Sequence, residues 1–227
     1  MRYEIIDAPD FGLLKVVFDA PGEQVVAESG AMVSRSAGVT MQTSMRGGLG
    51  QALKRRVLGG ESIFQNTFTA AAPGEELLLA PGPEGDLCQR TLGDGEEFFL
   101  QSGNYLAHTG PIVLDTKWGG VKSFFGGVGF FMLKTRGPGE LFFNSYGALH
   151  AVDVGPDGYT VDTGHIVGFT AGLDYTVRSF GGFKGLFFSG EGLVADFRGH
   201  GTVYIQTRNA PSLAGFLEPF RRVQRSS

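Results

Sequence analysis

The chain has 227 residues, with 19 Lys and Arg against 23 Asp and Glu, a formal charge of −4 and a pI near 5.6. That length allows one large β domain or two small ones with a sizeable core, and the acidic balance disfavours a general grip on nucleic acid, which needs clustered positive charge. With 37 glycines, only 10 prolines and a 42% hydrophobic share, the composition is that of turn-rich β structure rather than disorder. The lone cysteine, Cys88, excludes an intramolecular disulfide and fits a reducing compartment.

In chain order, the opening MRYEIIDAPD has no apolar core for a secretory signal, and its acidic residues suit a mitochondrial presequence poorly. The longest mostly apolar run, 124–133, is far shorter than the roughly 20 residues of a membrane-spanning helix. A cytoplasmic protein, soluble or peripheral to a membrane, is expected. Residues 3–6 and 13–18 read as a hairpin around Ala8-Pro9-Asp10.

Three elements then recur in phase. VVAESGAMVS (25–34), FFLQSGNYLA (98–107) and TVDTGHIVG (160–168) each set a short hydroxyl residue and a glycine between apolar runs. RGGL (46–49), WGGV (118–121) and FGGF (180–183) follow. The last element is clearest in FFSGEGLVADFRGHGTVYIQTRN (187–209), where two alternating strands are joined by a tight turn at Gly199-His200-Gly201. Its other copies turn at Gly137-Pro138-Gly139 and Pro73-Gly74, so the turn glycines 74, 139 and 201 are 65 and 62 residues apart. Separate signals sharing one period make the chain an internal triplicate, with repeats at about 22–83, 93–147 and 155–209 in a single domain. The fold expected is all-β: an internally threefold-repeated antiparallel sandwich or double-stranded β-helix. A short C-terminal helix over 211–223 closes it, with Leu213, Phe216, Leu217, Phe220 and Val223 on one face packed on the sheet; a basic helix on a membrane surface is the alternative.

SGEGLVADFRGHGTVYIQTRN, VDTGHIVGF and LGGESIFQNTF also resemble the signature segments of the family named for its fungal member, the twenty-fourth altered-inheritance-of-mitochondria protein. The resemblance covers nearly the whole chain. It implies a fold similar to the tryptophan RNA-binding attenuation protein, often in oligomers, and a link in the fungal member to mitochondrial inner-membrane organisation. It carries over no catalytic residue.

No chemistry-bearing motif is complete. The histidines 108, 150, 165 and 200 form no local metal-ligand pair, so neither a metal nor a cofactor is expected. His165, after the repeated glycine, reads as a turn histidine. Ser29, Ser102 and Thr163 precede glycines but lack the Gly-x-Ser-x-Gly of a nucleophile elbow. The one enzyme reading is a hydrolase or isomerase with Glu61, Glu191 and His165 converging at the repeat seams.

The Gly-Gly segments interleave basic and large apolar residues: Arg46, Leu49, Lys54 and Arg55, then Trp118, Val121, Lys122 and Phe124, then Phe180, Phe183 and Lys184. Exposed, they would exceed the apolar patch a soluble monomer tolerates. Three uses compete: a homo-oligomer interface, attachment to an anionic lipid surface, and a pocket for a small ligand or single-stranded RNA. The expectation is a non-enzymatic binding or scaffold protein.

Overall fold

The computed structural model describes residues 1–45, 64–115, 132–179 and 193–221. β1 (Arg2–Ile6) and β2 (Leu13–Val17) form the opening hairpin, with Arg2 opposite Val17 and Ile6 opposite Leu13. From β2 onward the strands fall into three units of six. The first unit continues through β3 (Gln24–Glu28), β4 (Met32–Arg35), β5 (Thr40–Met45), β6 (Phe64–Thr69) and β7 (Glu76–Leu79). The second comprises β8 (Leu87–Leu92), β9 (Glu97–Gln101), β10 (Tyr105–His108), β11 (Val113–Asp115), β12 (Met132–Arg136) and β13 (Gly139–Asn144). The third comprises β14 (Leu149–Val154), β15 (Tyr159–Asp162), β16 (Ile166–Thr170), β17 (Leu173–Ser179), β18 (Leu193–Gly199) and β19 (Gly201–Gln206). Each unit opens one strand ahead of the boundaries drawn from the repeated motifs, because β2, β8 and β14 carry none of those motifs.

Pairing follows one rule. Within a unit the fourth, fifth and second strands lie side by side, and so do the third, sixth and first. The second strand of one unit then pairs with the third strand of the next, β3 with β10 and β9 with β16. Two six-stranded antiparallel sheets result, β5-β6-β3-β10-β13-β8 and β11-β12-β9-β16-β19-β14. The chain ends leave two partial sheets, β1-β2-β7-β4 and β15-β18-β17. The third strand of every unit carries the same irregularity, a register shift between Met32 and Ser34, between Tyr105 and Ala107, and between Ile166 and Gly168. A bulge kept at one place in three copies is a built feature of the repeat.

The repeated hydroxyl-glycine element explains how a unit spans two sheets. It links the second strand to the third, and these lie in different sheets. In the third copy Asp162 Oδ1 accepts from Gly164 N at 2.7 Å, the local side-chain bond that favours a turn over a continued strand.

The stretch 187–209 differs from its sequence reading. Both strands are present, but β18 pairs with β15 and β17 while β19 pairs with β14 and β16. Gly199-His200-Gly201 is therefore a corner between sheets. Gly199 holds φ +109°, and a Cβ there would stand 2.4 Å from Gly172 O. The chain hairpins instead between the fourth and fifth strands, where Ser44 faces Gln65, Asp115 faces Lys134 and Ser179 faces Leu193.

Three cores separate the four layers. Leu14, Val16, Leu77 and Leu79 of the first partial sheet pack against Val25, Phe68, Ala107 and Phe142. Leu92, Tyr105, Leu141 and Phe143 meet Phe98, Leu100, Leu133 and Val167 between the two full sheets. Phe99, Met132, Phe169 and Val203 meet Val161, Leu173, Ala195 and Phe197 beneath the second partial sheet. The full sheets are thus covered on both faces, which is why FFL at 98–100 and LFF at 141–143 run apolar without alternating.

The helix α1 (Ala210–Leu217) is capped by Asn209, whose side chain accepts from Ser212 N at 2.8 Å. It is shorter than expected, because Pro219 has no N–H to continue the ladder and Glu218–Phe220 tightens into a 3-10 turn. Neither α1 nor that turn has a buried residue, so among the described residues the expected packing of this helix on the sheet does not occur; Val223 of the expected face lies outside them.

Candidate functional site

Repetition makes the two chain ends directly comparable with the interior. Aligning the units on Gly30, Gly103 and Gly164 sets Met32 and Val33 of β4 against Tyr105 and Leu106 of β10 and Ile166 and Val167 of β16. The four interior residues are fully buried, whereas Met32 is 40% and Val33 55% exposed. The same alignment sets Tyr159 of β15, 40% exposed, against the buried Val25 and Phe98. The sequence type is the same and the environment is not, because β10 and β16 each have a neighbour that β4 lacks, as β3 and β9 each have one that β15 lacks. Among the described residues, neither of these edges pairs with anything. Burying an apolar side chain of this size is worth about 1.5–3 kcal/mol, so two open edges forgo several such contributions. An unpaired apolar edge also presents free N–H and C=O groups to any strand that fits.

Beside β15 lies the chain's C-terminal seam. His165 Nδ1 is 2.7 Å from the Gln206 carbonyl oxygen and its Nε2 2.7 Å from Asn209 Nδ2. A carbonyl can only accept and an amide nitrogen only donate, so Nδ1 donates to Gln206 and Nε2 accepts from Asn209. Both ring nitrogens are engaged, tying the turn after β15 to β19 and to the cap of α1. Gln206 extends the network, donating from Nε2 to Gly164 O at 3.2 Å and accepting from Asn104 Nδ2 at 3.1 Å. An open pocket of about 410 Å3 lies against His165, Tyr146, Arg208 and Leu213. His108, by contrast, is buried, with Nδ1 2.7 Å from the Tyr105 hydroxyl; His150 and His200 are exposed.

The expected membrane or oligomer residues Arg46, Leu49, Lys54, Arg55, Trp118, Val121, Lys122, Phe124, Phe180, Phe183 and Lys184 lie outside the described residues, as do Glu61 and Glu191. Chain order alone places every Gly-Gly segment between the fourth and fifth strands of its unit. Of the seam trio, His165 alone is described.

Burial pushes the Cys88 thiol up, with Arg90 opposing, so the thiol stays protonated and a poor nucleophile. Hydrogen bonds from Arg178 and then Thr160 hold Asp196 below the usual carboxylate range. This exposed ion pair fastens β15, β17 and β18 together on the outer face of the last partial sheet. Among the described residues no group of three or more His, Cys, Asp or Glu could hold a metal ion. No helix among them is long and apolar enough to cross a membrane.

Sequence reasoning missed Met32, Val33 and Tyr159. The signal was available, since MVSR at 32–35 occupies the place of YLAH and IVGF, but nothing in one strand says whether its neighbour exists.

Comparison with known proteins agrees with the architecture. A family model described as mitochondrial biogenesis AIM24 matches residues 3–208. An uncharacterised protein of Streptococcus pyogenes serotype M6 is 32% identical over 228 residues, spanning 97% of this chain and 91% of that protein. The crystal structure of a Streptococcus pyogenes protein from a structural genomics consortium matches with a TM-score of 0.78 at 30% identity, over 97% of this chain and 99% of the other. A match across nearly the whole sequence, on a fold that is likewise shared end to end, means that this chain belongs to the mitochondrial biogenesis AIM24 family.

Proposed function

We propose that this protein is a non-enzymatic binding or scaffold protein that works as a homo-oligomer. One observation carries this reading: the chain ends in two partial sheets whose edges, β4 and β15, leave exposed the positions that are buried wherever the repeat has a neighbour. Closed assemblies of identical chains are the commonest use of such surfaces. The wild-type chain is expected to run at a multiple of 24.2 kDa in light scattering. Val33→Glu should fold, since the side chain is exposed, but should weaken assembly about 100-fold or more by placing an unpaired charge in the contact. A wild-type chain that stays monomeric at tens of micromolar would overturn the proposal.

A second reading, attachment to an anionic lipid surface, is favoured by α1. Leu213, Phe216, Leu217 and Phe220 are exposed, the two phenylalanine rings lie 5.9 Å apart, and Arg221 follows directly. Apolar residues beside cations suit the headgroup boundary. Co-sedimentation with vesicles of one-third anionic and two-thirds zwitterionic lipid tests it. Wild type should pellet, and the double variant Phe216→Ser, Phe220→Ser should bind at least about 10-fold more weakly. Equal binding by the two proteins removes α1 from this role and leaves the Gly-Gly segments as the candidates.

A further inference from the structure

We infer that the open pocket at the C-terminal seam seats the head of an anionic amphiphile, an oxyanion on a single alkyl chain, with the chain lying along the apolar face of α1. The inference rests on the reading in which α1 meets lipid, and it replaces a general surface with one molecule and its seat.

The floor of the pocket is fixed before any ligand arrives. His165 engages Gln206 O and Asn209 Nδ2 with its two ring nitrogens, Asn209 accepts from Ser212 N, and Arg208 N donates to Tyr146 O at 3.1 Å. Three stretches distant in sequence are thereby held at one place, which lowers the ordering cost of binding. The second unit makes part of the same arrangement: Asn104, in the place of His165, donates from Nδ2 to Asn144 O at 2.8 Å. There the chain runs on from Gly147 into β14, whereas after Asn209 it turns into α1. Ser212 and Leu213 of α1 complete the pocket, so it belongs to the end of the chain and not to the repeat.

The polar groups that converge here are donors. The exposed Arg208 guanidinium gives Nη1 to Thr207 O at 3.2 Å and keeps its remaining N–H groups. Thr207 Oγ1 accepts from Ala148 N at 3.0 Å, which leaves its own proton to donate. Tyr146 and Ser212 add two more hydroxyls, and among the described residues no carboxylate lines the pocket. One cation and three hydroxyls without an acid select an oxyanion over a cation or a neutral group. The helix supplies position rather than amides, because Pro211 has no N–H and Ser212 N is already taken by Asn209.

Leu213 gives the ligand its second half. It lines the pocket and also begins the exposed stripe that continues through Phe216, Leu217 and Phe220. At about 1.5 Å per residue that stripe runs on the order of 10 Å from the pocket. A bare inorganic anion would leave it in water; an alkyl chain leaving the head group covers it. A volume of about 410 Å3 lies within the range of small-ligand sites.

Isothermal titration calorimetry of the full chain with decanoate, kept below its micelle concentration, tests the assignment. Wild type should bind it, and should bind acetate and inorganic phosphate at least about 100-fold more weakly, because neither covers the stripe. Decyltrimethylammonium, the same chain with the opposite charge, should not compete. Arg208→Gln and Leu213→Ser should each weaken decanoate binding at least about 10-fold, and both side chains are exposed enough to change without unfolding the chain. Tyr146→Phe removes one hydroxyl alone and should cost about 3-fold to 10-fold. Acetate bound as tightly as decanoate, equal decanoate binding by wild type and Arg208→Gln, or no decanoate binding at all overturns the assignment. Decanoate binding by a protein that leaves vesicles in the supernatant supports the pocket and removes the lipid-surface reading. Vesicles pelleted by a protein that ignores decanoate overturn the pocket and leave the surface reading standing.

Discussion

Phe169→Ala should lower stability by about 3–5 kcal/mol, a drop in Tm on the order of 10 °C for a chain of this size. Phe169 is 1% exposed at the centre of the third core. Its ring stacks on Phe99 at 4.8 Å and meets Tyr175 at 5.4 Å and Phe197 at 5.2 Å edge to face. These rings come from both sheets that enclose the core, on β9 and β16 below and β17 and β18 above, so truncation opens a cavity that neither sheet can close alone. Phe220→Ala is the control: that side chain is 73% exposed, and its loss should stay within about 0.5 kcal/mol. Thermal scans must share one protein concentration, since assembly would raise Tm by mass action. A loss below about 1 kcal/mol for Phe169→Ala would mean that the last partial sheet does not pack as described.

Gly85→Ala should cost about 2–3 kcal/mol or more, for a different reason. A Cβ there would stand 2.2 Å from Ser145 O, 2.5 Å from Gly147 O and 2.7 Å from Gly147 N. All three are backbone atoms, so relief requires moving a chain segment and not a rotamer. The segment is the connector row: Gly147 N donates to Glu84 O at 2.9 Å and Asp86 N to Gly147 O at 3.2 Å, holding the seam between the first and second units against the seam between the second and third. Gly82→Ala, three residues away with nothing within 4 Å of the added carbon, should be close to neutral. Urea midpoints of the two variants separate a steric effect from a general glycine effect. Similar midpoints would mean that the connectors are loose and that the row contributes little.

The two variants probe features of unequal visibility. That Phe169 belongs to a core could be read from its apolar surroundings, IVGFT, whereas Gly85 reads only as part of a turn cluster. Three connectors distant in sequence close on one another at Gly85, and no local pattern encodes that. His165 behaves similarly. Its place after a repeated glycine marks a turn, but its partners Gln206 and Asn209 lie more than forty residues on and were found only in the fold.

What the sequence determined by itself was everything that acts over a few residues. Alternation gave the strands, glycine and hydroxyl residues gave the turns, and the threefold period fixed that whatever one unit does the others repeat. Local chemistry also set the start of α1 at Asn209 and, through Pro219, its end. Tertiary structure alone decided partners. Strands flanking Gly199-His200-Gly201 would show the same alternation whether they paired with each other or passed into separate sheets, because inward and outward faces alternate either way. Burial of full sheets on both sides likewise erased the alternation that would have told one layer from the next. The exposure of Val33, Met32 and Tyr159 depends on the absence of a neighbouring unit, a property of where a repeat stands in the array and not of its residues. Pairing between strands is a long-range choice made by the stacking of layers, and a sequence read along its length carries only the short-range half of it.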